Sequence, residues 1–117
     1  MGLDMHLFDK NNNEVIYWRK ANQIHNWFVE NVQDGVDDCC ENIVTECNLI
    51  DLMNTCKNVL DNPTEANNIL PCTTGFFFGS QEYDVFYFDN IAYTYNHIKD
   101  IIDNCQVGDY WTYRSCW

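Results

Sequence analysis

The stretch "EVIYWRKANQIHNWFVENV", residues 14–32, decides the fold. Glu14 to Trp18 is rich in β-branched and aromatic residues and reads as a strand. Beyond Trp18 the apolar residues recur every three to four positions. On a 100° wheel, Tyr17, Ala21, Ile24, Phe28 and Val32 share one stripe, which predicts a helix over 18–33 with these residues in the core. Trp18, His25 and Val29 flank the stripe on one side; Lys20, Trp27 and Asn31 flank the other. Arg19, Gln23, Asn26 and Glu30 then point outward.

Upstream, "GLDMHLF" (2–8) alternates loosely as a strand does, and "DKNNNE" (9–14) is a polar turn cluster. Together with 14–18 they predict a β-hairpin. Downstream, "DG" at 34–35 ends the helix and "VDDCCENIV" (36–44) reads as a linker with a short extended piece. Thr45 is placed to cap a second helix, whose stripe is Leu49, Leu52, Met53, Cys56, Val59 and Leu60. Asn62-Pro63 stops it. "TEANNIL" (64–70) forms a turn or two, capped by Thr64. Residues 71–90 read as a loop with one or two short strands, and Asp89 caps a third helix over 90–105. Ile91, Tyr95, Ile98, Ile102 and Cys105 form its stripe, with His97 pointing away. Past Gly108, a strand places Trp111, Tyr113, Ser115 and Trp117 on one face and Tyr110, Thr112, Arg114 and Cys116 on the other. Aromatics on both faces suit a strand paired centrally or covered on both sides, so it pairs with the hairpin. The fold class is α+β: about three helices packed on a small antiparallel sheet formed by the N-terminal hairpin and the C-terminal strand, in one domain, 1–117.

Composition narrows the function. At 117 residues, 46% hydrophobic and 15% aromatic, the chain is globular rather than disordered. Eighteen acids against six bases give a net charge of −12. That argues against direct nucleic-acid binding, which needs a basic footprint, and against anionic membrane surfaces. It favours a basic partner surface. No apolar run approaches the ~20 residues of a membrane helix. The first ten residues show no signal peptide, and His6 breaks the myristoylation pattern. Seven cysteines, an odd number without CxxC, suit a reduced cytosolic setting rather than a disulfide framework. Cys56 and Cys105 read as buried hydrophobes. Cys39 and Cys40, with His6, His25 and His97 elsewhere, fit no zinc spacing, so no metal is expected.

His25 supports two readings: a general base or ligand contact oriented by Asp37 or Asp38, or a half-buried ring bonded to backbone. Arg19 and Lys20, opening the predicted helix, oppose its dipole. A bound phosphate would compensate, as would a nearby acid. "GFFFGS" (75–80) is no phosphate loop, yet three consecutive phenylalanines cannot all face one way in a strand. They line a groove or form a second small cluster. An aromatic cleft near Arg19 or Arg114 would suit a nucleotide-like small molecule, with Trp18, Arg19, Asn22, His25, Phe77, Tyr83 and Tyr113 as its lining. No catalytic signature or dinucleotide fingerprint is present, so no catalytic residue and no cofactor is assigned. A hydrolase or transferase using His25 remains as a third reading.

Four stretches, "MGLDMHL" (1–7), "YWRKANQIHNWF" (17–28), "LPCTTGFFFGSQEYD" (70–84) and "YRSCW" (113–117), resemble an uncharacterised family of short bacterial and phage proteins. They keep the same order over nearly the whole chain. Position 6 in that family is more often aromatic and position 116 more often Ser, so His6 and Cys116 take no special role from it. The resemblance implies an intracellular, mobile-element setting, in the host cytosol if phage-encoded, and no particular activity. By analogy with small acidic phage proteins, the expected function is non-catalytic inhibition of a host defence protein. Outward carboxylates carry the contact: Glu30, Asp51, Asp61, Asp100 and Asp103.

Overall fold

A computed structural model describes residues 3–35, 41–72 and 82–116. Strands β1 (Asp4–Asp9) and β2 (Glu14–Arg19) form the expected hairpin, with Met5 opposite Trp18 and Leu7 opposite Ile16. Asp9 builds the turn: its Oδ1 accepts the backbone N–H groups of Asn11 and Asn13, both at 2.9 Å. Asn12 takes the left-handed position at φ +65°, a region asparagine enters more readily than most residues.

β2 runs to Arg19, opposite Asp4, so no helix starts at residue 18. The chain leaves the sheet at Lys20, which has φ +55° and donates its N–H to the Leu3 carbonyl at 2.7 Å. Helix α1 spans Asn22–Asn31. Two assignments change with this boundary. Tyr17 is not core but lies on the outer sheet face, 41% exposed, whereas Trp18 points inward at 1%. Ladder pairing imposes a period of two up to residue 19, and the helical wheel holds only beyond it. Arg19 and Lys20 therefore open no helix, and the dipole argument for them falls away. α1 is buried on nearly every side. Gln23, expected outward, is buried and donates Nε2 to the Tyr87 carbonyl at 3.4 Å.

The extended piece in the linker is β3 (Asn42–Val44). Thr45 then caps α2 (Glu46–Asp61): its Oγ1 accepts the Asn48 N–H at 3.2 Å, and Asn48 Oδ1 accepts the Thr45 N–H at 3.0 Å. Leu49, Leu52, Cys56 and Val59 are buried, Met53 partly so, while Leu60 is 37% exposed at the edge of the stripe. Pro63 opens a 3₁₀ turn, Pro63–Glu65, and short α3 (Ala66–Ile69) continues from it. Thr64 caps neither.

α4 (Val85–Asn104) begins one turn earlier than the sequence suggests. Its cap is Asp84, not Asp89: Asp84 Oδ1 accepts the N–H groups of Phe86 and Tyr87 at 3.1 and 3.2 Å. The extra turn brings Tyr87 onto the buried stripe, where its hydroxyl donates to the Leu70 carbonyl at 2.6 Å. The phenylalanine run at 76–78 lies outside the described residues.

β4 (Trp111–Cys116) inserts between β1 and β3, giving an antiparallel sheet in the order β2-β1-β4-β3. The fold is α+β, with the C-terminal strand paired on both edges. Trp111, Tyr113 and Ser115 face the core; Trp117 is outside the described residues. On that inner face Phe28 stacks on Tyr113 with centroids 3.9 Å apart, and Trp18 meets Phe28 edge-on at 5.8 Å. Trp18 Nε1 donates to Thr94 Oγ1 at 2.8 Å, tying β2 to α4. α2 packs alongside α4.

Candidate functional site

Of the six described residues expected to line an aromatic cleft, four are buried and two, Arg19 and Tyr83, are exposed. Asn22, His25 and Tyr113 are buried in the core, and Trp18 is 1% exposed. His25 Nδ1 lies 2.7 Å from the hydroxyl of Tyr113 on the central strand. With no exposed surface, His25 is placed to specify the packing of α1 on β4. Asn22, expected to be free for a ligand, has 1% exposure. Tyr83 is exposed, accepts the Cys72 N–H at 3.2 Å and packs 5.0 Å from Tyr87. Phe77, Asp37 and Asp38 lie outside the described residues. Arg19 combines high exposure with a place in a cleft, and Trp18 contributes an edge.

The thiols for which a shift is resolved are biased against nucleophilic chemistry. Burial pushes Cys56 up to about 12. Burial also raises Cys72, and a hydrogen bond to Glu46 raises Cys105. Among the described residues no three His, Cys, Asp or Glu side chains gather as a metal site requires. No helix there is long and apolar enough to cross a membrane.

Carboxylates dominate the outer helix surfaces. Glu30 on α1, Asp51 and Asp61 on α2, and Asp100 and Asp103 on α4 are all exposed. Among the described residues Asp61 pairs with Lys57, one helical turn away at 3.2 Å, and the other four form no ion pair. The solvent side of the sheet is different, because its polar groups largely satisfy one another. The Tyr17 hydroxyl donates to Asp4 at 2.7 Å, His6 bonds Glu14, and Arg114 sits 3.7 Å from Glu41 and 5.8 Å from the Phe8 ring centre.

A groove separates the end of β2 from the first turns of α4. One part, about 370 Å³, is bounded by Arg19, Lys20 and Gln23 on one side and by Asp84, Phe86 and Asp89 on the other. Glu82 and Tyr87 complete it. A shallower part, about 550 Å³, continues past Arg19, Asp89 and Asn90 to Tyr17 and Tyr93. The Tyr93 hydroxyl fixes the two walls together by donating to the Tyr17 carbonyl at 2.8 Å.

Comparison with protein-family models, with curated proteins and with solved structures returned no match.

Gln23, Asp84, Phe86, Asp89 and Tyr93 were not singled out as site residues from the sequence. The usable signal was Asp84, which precedes "VFYF" as an N-cap precedes an apolar turn. Reading it as the cap would have moved Phe86 and Asp89 from a loop onto one helical wall.

Proposed function

We propose that this chain is a non-catalytic, phage-type accessory protein that binds a basic surface of a host defence protein and inhibits it, in the host cytosol. The observation that carries the reading is the state of the helix carboxylates. Glu30, Asp51, Asp100 and Asp103 are exposed and form no ion pair among the described residues, while Trp18, Phe28, Leu49, Leu52, Ile91 and Ile98 are buried in the core. A net charge of −12 steers a cationic partner and opposes anionic ones. His25 has no exposed surface, which supports a binding role over a hydrolase or transferase built on that ring. The resemblance to short phage and bacterial proteins supplies the setting.

The experiment is affinity capture from host lysate over a salt series, then rebinding of the purified partner. The screening length falls from about 10 Å at 0.1 M salt to about 3 Å at 1 M. A basic host protein should be retained at low salt and released steeply as salt rises. Asp100→Asn with Asp103→Asn should slow its association while changing its dissociation little. Retention that ignores salt, or that is unchanged by neutralising these carboxylates, refutes the reading.

A further inference from the structure

The groove between β2 and α4 carries opposite charges on its two walls. Its β2 wall presents two cations, Arg19 and Lys20; its α4 wall presents three carboxylates, Glu82, Asp84 and Asp89. Arg19, Lys20 and Asp89 form no ion pair among the described residues, although they line the same cavity. Of the chain's other four bases, Lys10, Lys57 and Arg114 each lie against a carboxylate, and Lys99 forms no ion pair among the described residues. Backbone geometry holds the two cations where they are: Arg19 is locked in the ladder opposite Asp4, and the Lys20 N–H is bound to the Leu3 carbonyl.

A third feature points the same way. Gln23 is 2% exposed and lines the groove. Its Nε2 is used on the Tyr87 carbonyl, but its Oε1 accepts no hydrogen bond among the described residues. The amide oxygen of a mostly buried side chain at the wall of a cavity is an acceptor suited to an ammonium N–H. On the rim, Phe86 is 73% exposed and offers its ring to the stem or charge of a basic side chain.

We propose that this groove binds a zwitterion with one carboxylate and a basic side chain, the chemistry of free arginine or lysine. Arg19 takes the carboxylate in a bidentate pair, which its planar fork suits, and Lys20 adds a point charge. Asp89 and Asp84 face the ligand's cations. Two cations and three carboxylates leave the lining at −1, which complements a ligand of net +1. A phosphate ligand matches only the β2 wall and meets three carboxylates on the other.

The test is calorimetry and thermal shift on the full chain with L-arginine, L-lysine, agmatine, L-citrulline and AMP. Agmatine lacks the carboxylate and citrulline lacks the side-chain charge. Arginine or lysine should bind, with agmatine and citrulline at least about tenfold weaker. Arg19→Gln and Asp89→Asn should each lose about tenfold in affinity, while Lys57→Gln, on α2, changes nothing. Both groove residues are exposed, so unchanged melting without ligand will show that the variants are folded. Four outcomes overturn the proposal. They are no binding of either amino acid at millimolar concentration, agmatine binding as well as arginine, arginine binding unaffected by Arg19→Gln, and AMP binding more tightly than both amino acids. None of these bears on the salt-dependent capture of a basic protein by the helix carboxylates.

Discussion

Replacing Thr94 by valine should destabilise the protein through a tryptophan that is not itself changed. Thr94 has no exposed surface and Trp18 has 1%. The Trp18 indole N–H is held by Thr94 Oγ1 at 2.8 Å, and the threonine hydroxyl itself donates to the Asn90 carbonyl at 2.7 Å. Valine keeps the shape and the β-branching but leaves the indole donor buried without its acceptor. A buried unsatisfied donor costs about 1–3 kcal/mol. The methyl that replaces the hydroxyl returns about 0.8 kcal/mol of apolar burial. The Asn90 carbonyl keeps its helical partner, so its loss is small. The net expectation is a loss of about 1–2 kcal/mol, equivalent to roughly 4–10 °C in Tm for a domain of this size. Urea unfolding monitored by circular dichroism measures it, with an unchanged denaturant slope marking a pure stability effect. The decisive arm is a double-mutant cycle with Trp18→Phe, which has no N–H to orphan. Thr94→Val should cost about 1 kcal/mol less in that background. If Thr94→Val is as stable as the parent, or its cost is the same with and without the indole, the argument that this bond ties β2 to α4 is wrong.

Three further outcomes rest on local features. Ser115 Oγ is buried and makes no hydrogen bond among the described residues, so Ser115→Ala should leave stability unchanged or raise it by about 1 kcal/mol, read as a shift in urea midpoint. A loss of that size would show that the hydroxyl is bonded. Burial pushes the Cys56 thiol up to about 12, so alkylation near neutral pH should reach exposed Cys47 and Cys116 quickly and Cys56 only as fast as the protein opens. Mass spectrometry of the time course decides, and equal rates would place Cys56 at the surface. The Lys10–Asp109 pair, at 2.6 Å, holds the Asp109 carboxyl below and the Lys10 ammonium above their ordinary values. Its contribution is therefore present between the ordinary carboxylate and lysine ranges. It fades as pH falls through the lowered Asp109 value or rises through the raised Lys10 value. Asp109→Asn should flatten both limbs of stability against pH, and a profile identical to the parent would refute the pairing.

The elements were legible where one period ruled a segment. The α2 stripe, the Thr45 cap and the stop at Asn62-Pro63 come from local chemistry and hold in the structure. So does the C-terminal strand, because Trp111, Tyr113 and Ser115 alternate cleanly. The sequence is ambiguous where two periods overlap. Tyr17 fits a helical wheel and a strand equally well, and only the partner strand, through the pairing of Trp18 with Met5, settles it. The start of α4 was missed by one turn because both Asp84 and Asp89 are plausible caps. The candidate site was scarcely legible. Arg19 and Asp89 lie seventy positions apart, and nothing local shows that β2 ends beside the first turns of α4. His25 looked available because a wheel gives one helix a wet side, yet α1 is enclosed almost completely.

The central place of β4 sets the timetable of assembly. As the chain emerges from a ribosome, β1 acquires one neighbour almost at once, from β2, but its other edge must wait more than a hundred positions for Cys116 to arrive opposite Asp4. β3 depends on the same late arrival, since β4 is its neighbour in the sheet. Until then the nascent protein carries two open edges and an uncovered aromatic layer. Premature termination or a proteolytic nick before residue 111 would thus release a sticky fragment rather than a smaller folded one.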